Sequence, residues 1–346
     1  MEKNRSYCLD LLKLVLAYVI ALFHCGLSVS PGPTVTVQVF FMISGFFLGK
    51  KFYTRSKADP SYRAWDYTLD HAKSIYPHYF FSCAVFFLYL LVRDVCTLVR
   101  TPSWQLLGTI LRGFYNQIPD ILLLQSGYYF HDSINYPLWQ LSALLIAGYF
   151  LYAMLCHNER LSRELLFPAA ILMIQSLLWS GVDLWVNWGP LYVPLLRALS
   201  PMCIGVLTYY FSTTQVFFNL RKHKTIFSLL GLISLVTLFA YGDFHNIFLI
   251  TTPLLILSCM EPDSWLSRLF GHKLFRDTGR LSYAVYLNHS FVIHFMTTQI
   301  IPRLEAMGCV VSDFLKGGLL LVLLTAYSVF TLWLVPRLVR KPVPSK

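Results

Sequence analysis

The sequence is poor in charge, and this scarcity sets the class of protein. Of its 346 residues, 13% are charged and 56% are hydrophobic, whereas a soluble domain carries about 25% charged residues. Apolar runs of about 20 residues, the length of a membrane-spanning helix, recur along the chain. These runs do not alternate polar and apolar residues, so they are not the strands of a membrane barrel. We therefore predict an all-α polytopic integral membrane protein that folds as a helix bundle.

Other features are missing as well. None of the eight cysteines forms a Cys-x-x-Cys pair, so we expect neither a disulfide framework nor a metal site. No block of lysine and arginine stands apart from the span ends, which argues against nucleic-acid binding. The first apolar stretch contains three ionisable residues and lacks a small-x-small cleavage site, so it is not expected to be a cleaved signal peptide. Residues 1–346 are expected to form one transmembrane domain without an appended soluble domain.

Hydropathy predicts ten membrane spans with charged loops on one side. The spans cover, approximately, residues 9–29, 35–49, 75–97, 137–156, 165–181, 191–211, 225–241, 244–260, 281–300 and 314–335. Alternate loops hold 21 of the 28 lysine and arginine residues. Because positive loops remain in the cytoplasm, both termini are expected there. The long outer connection 98–136 contains apolar patches and aromatics, and an interfacial or re-entrant segment is expected in it.

The first span carries the most informative residues. Lys13 and His24 are eleven positions apart, so on a helix they share a face and lie about 16 Å apart along the axis. Asp10 is three positions before Lys13 and is expected to pair with it, while Ala17 and Ala21 lie on the same face. Ionisable residues are costly inside a membrane and usually serve a function there. A long ligand that touches both Lys13 and His24 fits this stripe; a hydrogen-bonded histidine in a helix–helix interface is the alternative.

The second span and the loop after it contain further candidates. Gly45 and Gly49 form a small-x-x-x-small face that is expected to pack tightly against the first span, and Ser44 lies beside them. The following loop is the most basic of the chain. It can bind the phosphates of a nucleotide-like donor, with positive-inside charge and contact with lipid headgroups as the alternative. Its cations are Lys50, Lys51, Arg55, Lys57, Arg63 and Lys73.

Polar residues also lie inside two later spans. Arg197 falls within the sixth span, where a guanidinium needs a partner or a water-filled cavity, and we expect it to line the same cavity as His24. In the ninth span, Ser282, Tyr286 and His289 share one helix face. A second polar stripe in a second helix predicts a polar tunnel.

Five phrases of this sequence resemble the motifs of acyltransferase family 3, whose members include O-acetyltransferases of cell-envelope polysaccharides. The first resembles the family's Arg/Lys-x10-His motif with its preceding Leu-Asp. The family's Arg-x-x-Arg pair is replaced here by His71 and Ser74. The five phrases, in the order of the family, are residues 9–13 with 24, 39–47, 75–77, 138–141 and 281–289.

The resemblance implies a membrane O-acyltransferase in the bacterial cytoplasmic (inner) membrane. Its donor would be cytoplasmic acyl-CoA, with acetyl-CoA expected, and its acceptor a hydroxyl of an envelope polysaccharide or lipid-linked sugar. His24 would act as general base, and Asp10 would orient Lys13. The oxyanion of the transition state would be stabilised by Arg197, Tyr286 or Ser44, among which the sequence does not choose.

The resemblance also assigns two groups of binding residues. The donor phosphates and arm are expected to contact Lys13, Ser44, Lys50, Lys51 and Lys73, with the arm running along Ala17 and Ala21. The acceptor or tunnel residues are expected to be Trp139, Ser282, Tyr286 and His289. A covalent route through His24 or Ser44 stays open. The main alternative function is a transporter or flippase of a glycan or lipid-linked intermediate, because intramembrane polar residues suit that role too.

Overall fold

Helices and turns make up the described chain, without strands. The structure, a computed structural model, describes residues 6–125, 133–180, 195–241 and 247–339. The first eight helices are α1 (Tyr7–His24), α2 (Pro33–Lys51), α3 (Ala64–Arg100), α4 (Trp104–Ile121), α5 (Trp139–His157), α6 (Glu159–Leu161), α7 (Phe167–Trp179) and α8 (Leu196–Ser212). The next seven are α9 (Gln215–Lys222), α10 (Lys224–Tyr241), α11 (Phe248–Met260), α12 (Trp265–Phe270), α13 (Thr278–Phe295), α14 (Ile301–Ala306) and α15 (Asp313–Val339).

The predicted all-α membrane fold is confirmed. Among the described residues, seven helical segments are long and apolar enough to cross a membrane, and α11 is a shorter apolar helix. Helices α8 and α13 occupy the remaining predicted spans. The observed bounds differ most at α3, which begins at Ala64 rather than near residue 75. Its start is fixed by Asp66, whose side chain accepts a 2.9 Å hydrogen bond from the Arg63 N–H, as in a capped helix.

Glycines bring α2 and α8 into close contact. A Cβ atom on Gly45 would lie 2.1 Å from the carbonyl oxygen of Met202, and one on Gly205 would lie 2.1 Å from that of Met42. Gly49 also faces α8, since its Cβ would lie 3.2 Å from Tyr209 Cβ. The prediction that Gly45 and Gly49 pack against the first helix is therefore wrong. Small residues show that backbones approach closely, but they do not show which helix is the partner.

The long helices alternate in direction, so the bundle has two ends. At the first, which we call the histidine end, α1 ends at His24 and α2 begins; there Ser30 Oγ donates a hydrogen bond to the carbonyl oxygen of Phe239 near the end of α10. At the second, the basic end, Tyr53 OH donates to Glu159 Oε1 at 2.8 Å. Helix α4 lies at the histidine end, because it follows α3 and precedes α5.

Candidate active site

Asp10 and Lys13 form an ion pair near the start of α1. Ser6 caps the helix by accepting a 3.2 Å hydrogen bond from the Leu9 N–H, which places Asp10 in the first turn. Lys13 Nζ lies 2.5 Å from Asp10 Oδ1, and Asp10 is buried. Gly279 of α13 covers this carboxylate: a Cβ atom on Gly279 would lie 2.5 Å from Asp10 Cγ. Asp10 therefore holds the Lys13 ammonium in place toward the basic end.

His24 meets His289 where α1 ends. The two imidazole rings are stacked, with centroids 5.3 Å apart and planes inclined by 29°. His289 is fully buried, and its Nδ1 lies 2.6 Å from the carbonyl oxygen of Tyr286, so Nδ1 carries the hydrogen and donates it. This tautomer leaves Nε2 as an acceptor, and no partner among the described residues bonds to it. His24 is exposed, so a substrate can reach its ring directly.

Tyr286 and Arg197 are connected through the turn that precedes α5. Tyr286 OH donates a hydrogen bond to the carbonyl oxygen of Pro137, and its ring centroid is 5.7 Å from that of His289. Because the Tyr286 hydroxyl donates its single hydrogen to the Pro137 carbonyl oxygen, it does not donate to an oxyanion in this arrangement. Arg197, in the first turn of α8, is 5% exposed and acts electrostatically on Tyr136, the neighbour of Pro137. The turn thus connects the guanidinium region with the tyrosine beside the histidine pair.

The other two residues predicted for the acceptor make different contacts. Ser282 is buried seven positions before His289, about 10 Å away along the helix axis, and its Oγ lies 3.4 Å from the carbonyl oxygen of Gly279. The Trp139 ring packs against Phe41, with centroids 6.1 Å apart, in a core formed by α2, α5 and α8. Ser282 therefore lies nearer to the Asp10–Lys13 ion pair than to His24, the other end of α1. Trp139 supports the packing of α5.

The basic end carries a network of charges around Asp70. Lys51 Nζ and Arg55 Nη1 each lie 3.3 Å from Asp70 Oδ2, and Tyr62 OH donates to the same oxygen at 2.8 Å. Lys73 is exposed and, with Arg55, Tyr62 and Asp70, lines a surface depression of about 260 Å³. Two of the cations predicted to bind the donor, Lys51 and Lys73, therefore lie beside one carboxylate, at the surface of the bundle.

Ser44 and Lys50 complete the residues predicted to bind the donor. Ser44 Oγ donates a 2.8 Å hydrogen bond to the carbonyl oxygen of Phe40, so the hydroxyl makes its hydrogen bond within α2. Lys50 is half-buried in the last turn of α2. Both residues lie on α2, Ser44 in its middle and Lys50 at the basic end.

One face of α2 leads from the basic end to the histidine end. Its members recur every three or four positions and are all at least partly exposed: Phe40, Ser44, Phe47 and Lys51. We call this face the α2 track. At one end, the Phe40 ring lies 6.4 Å from the Tyr286 ring, measured between centroids. Farther along, Lys13 Nζ lies 6.0 Å from the centroid of the Phe47 ring. The track therefore passes both the ammonium of α1 and the surroundings of the histidine pair.

The small-residue stripe of α1, in contrast, is closed by packing. Ala17 and Ala21 are fully buried in a core that includes Val285 and Leu287 of α13. The expected path of a ligand arm along these two alanines is therefore wrong for this arrangement, because α13 fills the space. Small side chains at these positions let two helices approach each other.

Sequence reasoning misses two polar features of the histidine end. Asp120, on α4, is buried and accepts a 2.8 Å hydrogen bond from Ser133 Oγ; burial raises the pKa of its carboxyl to about 6. Lys316, near the start of α15, places its Nζ 3.7 Å from where a Cβ of Gly26 would lie, just beyond His24. The first feature has a signal in the sequence, namely polar residues on one face of an otherwise apolar helix. The second depends on tertiary packing alone.

The fold and the site define a polytopic membrane protein whose polar side chains meet between α1 and α13. The described residues include no group of three or more histidine, cysteine, aspartate or glutamate side chains that could hold a metal ion. A comparison with protein-family models matches the acyltransferase domain of acyltransferase family 3 over residues 6–336. The match covers essentially the whole chain, and the protein belongs to this family.

The family match gives the general activity. The protein is a membrane acyltransferase, and this favours the enzyme over the transporter. No curated protein and no solved structure matches the chain.

Proposed function

We propose that the protein transfers an acyl group, with acetyl as the expected group, from cytoplasmic acyl-CoA to a hydroxyl of a cell-envelope polysaccharide or lipid-linked sugar. The observation that supports this most is the arrangement along α1: a carboxylate-held ammonium at Lys13 and an exposed imidazole at His24 stacked on a buried one. The two are separated by about 16 Å along the axis, a distance that suits a long, phosphorylated thioester.

The orientation follows from charge. We place the basic end in the cytoplasm, with both termini, because lysine and arginine collect on the cytoplasmic side of membrane proteins. The protein would lie in the cytoplasmic membrane, in contact with its lipids, and the histidine end would face outward. The donor would then enter at the basic end and the acceptor at the histidine end.

The donor is expected to follow the α2 track. Its phosphates would be held at the basic end by Lys51 and Lys73, with Lys50 nearby, because ammonium groups bind phosphate oxygens as point charges. Its arm would pass Lys13 and Phe47 toward the histidine pair. This route replaces the one along Ala17 and Ala21, which packing closes.

The chemistry at the histidine end is acyl transfer. The acceptor hydroxyl oxygen attacks the thioester carbonyl carbon while His24 takes the hydroxyl proton. The C–S bond then breaks, the acyl group stays on the acceptor oxygen, and the imidazolium returns the proton to the leaving CoA sulfur. Asp10 orients Lys13 and takes no proton. Of the three candidates for stabilising the developing oxyanion we favour Arg197, because the Tyr286 hydroxyl already donates to the Pro137 carbonyl oxygen and the Ser44 hydroxyl to the Phe40 carbonyl oxygen.

Transfer of the acyl group from acetyl-CoA to water, which needs no glycan acceptor and releases acetate and free CoA, tests the donor and the role of His24 in the purified protein. The protein, reconstituted in lipid nanodiscs, would be given acetyl-CoA, and release of free CoA would be followed for wild type, His24→Ala and Val15→Ala. Val15 lies on the same helix but is exposed on another face, so it serves as the matched control. We expect His24→Ala to lose at least about 100-fold in rate, as is typical of a removed general base, and Val15→Ala to match wild type. Equal rates in wild type and His24→Ala would refute the role of His24.

A further inference from the structure

Helix α4 buries polar side chains in its last turns and exposes large apolar side chains along its length. Its exposed residues include Trp104 at 87%, Leu111 and Ile118, whereas Asp120 is 1% exposed and Gln117 is also buried. An exposed apolar face of this kind suits the lipid side of a membrane interface. The buried polar side chains must then serve the interior of the protein, at the histidine end of the bundle.

The buried carboxylate of Asp120 organises the residues around it. Its Oδ2 accepts hydrogen bonds from Ser133 Oγ at 2.8 Å and from Gln117 Nε2 at 3.4 Å, and its backbone carbonyl accepts one from Tyr79 OH. Gln125 Nε2 in turn donates to the Tyr79 hydroxyl oxygen at 2.6 Å. The Asp120 carboxyl also has a side-chain hydrogen bond with Gln125, so Asp120 holds Gln125 both directly, through its carboxyl, and through Tyr79, by its backbone carbonyl.

Two amide oxygens in this cluster have no partner. Gln125 is 5% exposed and Asn135 is 1% exposed, yet within the described residues nothing donates to Gln125 Oε1 or Asn135 Oδ1. Buried hydrogen-bond acceptors are rarely left unpaired in proteins. Both atoms need a hydrogen-bond donor.

This cluster adjoins the histidine pair. Asn135 Nδ2 donates to the carbonyl oxygen of Leu287 at 3.3 Å, two residues before His289, whose Nε2 is a third buried acceptor without a described partner. His289 stacks on His24. Pro137, two residues after Asn135, accepts a hydrogen bond from Tyr286 OH, and the Tyr286 ring lies 5.7 Å from the His289 ring. The cluster therefore adjoins the tyrosine that packs beside the histidine pair.

The chemistry of these atoms narrows the class of ligand. All three unpartnered atoms are acceptors, so the ligand must bring several donors at once, as a ring with neighbouring hydroxyls does. The carboxylate of Asp120 already has donors around it, so the cluster offers no free anion for a cationic ligand. We propose that Gln125 and Asn135 are the acceptor-recognition residues of this enzyme, that Asp120 positions them, and that the site takes a neutral, polyhydroxylated acceptor such as a sugar. This inference rests on the function proposed above.

Paired probes with the same alkyl tail test the inference. Nanodisc-reconstituted protein would be given labelled acetyl-CoA with octyl glucoside or with 1-octanol, and both released acetate and alkyl ester would be measured. We expect the glucoside to be acetylated at a KM at least about tenfold below that of octanol, since losing one such hydrogen bond changes affinity about tenfold. Equal KM values for the two probes would overturn the inference.

Substitutions at Gln125, Asn135 and Asp120 test whether these residues bind the acceptor. Asn135→Ala and Gln125→Met should each raise the KM for octyl glucoside about tenfold, with a smaller change in the KM for acetyl-CoA. Asp120→Asn should raise the same acceptor KM with little effect on kcat, as expected of a positioning residue. Thr109→Val, on the exposed side of α4, is the matched control and should resemble wild type. Retention of the wild-type acceptor KM by both Asn135→Ala and Gln125→Met would overturn the inference, and the cluster would then hold only water.

The failure of the proposed function and the failure of this inference give different results. If the wild type releases no CoA from acetyl-CoA under any condition, the proposed function fails and the inference with it. If it releases acetate from acetyl-CoA but forms no ester of octyl glucoside, the proposed donor chemistry stands and the polyhydroxylated acceptor is refuted.

Discussion

His24 and His289 bring different properties to the site. His24 is exposed at the end of α1, whereas His289 is fully buried and donates through Nδ1 to the Tyr286 carbonyl oxygen. An exposed imidazole can receive a proton from a substrate, and a buried one of fixed tautomer can accept a hydrogen bond at Nε2. These properties support our proposal that His24 takes the proton and that His289 orients the substrate.

Two amide variants of His289 separate its two nitrogens. In His289→Asn the amide nitrogen can replace Nδ1 and keep the bond to the Tyr286 carbonyl oxygen, but nothing replaces Nε2. In His289→Gln the amide group reaches the Nε2 position instead. If Nε2 orients the acceptor, His289→Asn should raise the acceptor KM about tenfold, and His289→Gln should restore part of that loss. Steady-state kinetics with octyl glucoside would check this, and a larger loss in His289→Gln than in His289→Asn would contradict it.

Asp120 gives a prediction about pH. Burial raises its pKa to about 6 from an ordinary 3.8, so the fold favours the protonated carboxyl. The stabilising contribution of this group is complete below pH 4 and is lost as the pH rises through 6. Its upper size is about 3 kcal/mol, at 1.36 kcal/mol per unit of pKa. The titratable groups of α3 that act on it, Tyr79 and Cys83, are neutral in this range.

Asp120→Asn removes this dependence, because asparagine imitates the protonated form. Thermal unfolding of wild type and variant would be compared at pH 5 and pH 8. We expect the stability of the wild type to fall relative to that of the variant between these two values. A constant difference between the two proteins would mean that Asp120 is charged throughout.

At the scale of helices, glycine contacts hold α2 against α8. Gly45→Ala and Gly205→Ala each push a Cβ to within about 2.1 Å of a backbone carbonyl oxygen, and a backbone atom cannot move aside without shifting its helix. We expect each to lower the free energy of unfolding by about 1–3 kcal/mol, as overpacking typically does. Gly108→Ala on α4 is the control, since nothing lies within 4 Å of its Cβ position and alanine favours a helix there. Thermal unfolding would check all three, and equal destabilisation by Gly108→Ala would show that the contact is not the cause.

Helices were predictable from this sequence, but their partners were not. Apolar run length and breakers place a helix at each predicted span, because a lipid-embedded backbone must satisfy its own hydrogen bonds. The spacing of Lys13 and His24 likewise follows from helix geometry alone. The stacking of His24 on His289, the pairing of α2 with α8 and the burial of Ala17 depend on contacts distant in sequence. The cluster around Asp120 was not predicted, because some of its polar residues belong to α4, a helix outside the predicted spans.

For the whole molecule, the orientation in the membrane is the property to test. Cys309 is exposed in the connection after α14, at the histidine end. In a background without other cysteines, a membrane-impermeant maleimide should label Cys309 in intact cells. The Lys57→Cys variant without Cys309, whose thiol lies at the basic end, should be labelled only after permeabilisation. The opposite labelling pattern would show that the basic end faces outward, and cytoplasmic acyl-CoA could then not enter at the basic end.

The most direct test of the account is to separate donor binding from chemistry on α1. Acetyl-CoA binding and turnover would be measured for wild type, Lys13→Ala and His24→Ala in nanodiscs. We predict that Lys13→Ala weakens acetyl-CoA binding, that His24→Ala binds it as the wild type does, and that turnover is lost in His24→Ala. A well-folded wild type that binds no acyl-CoA, or a His24→Ala variant that turns acetyl-CoA over at the wild-type rate, would contradict it.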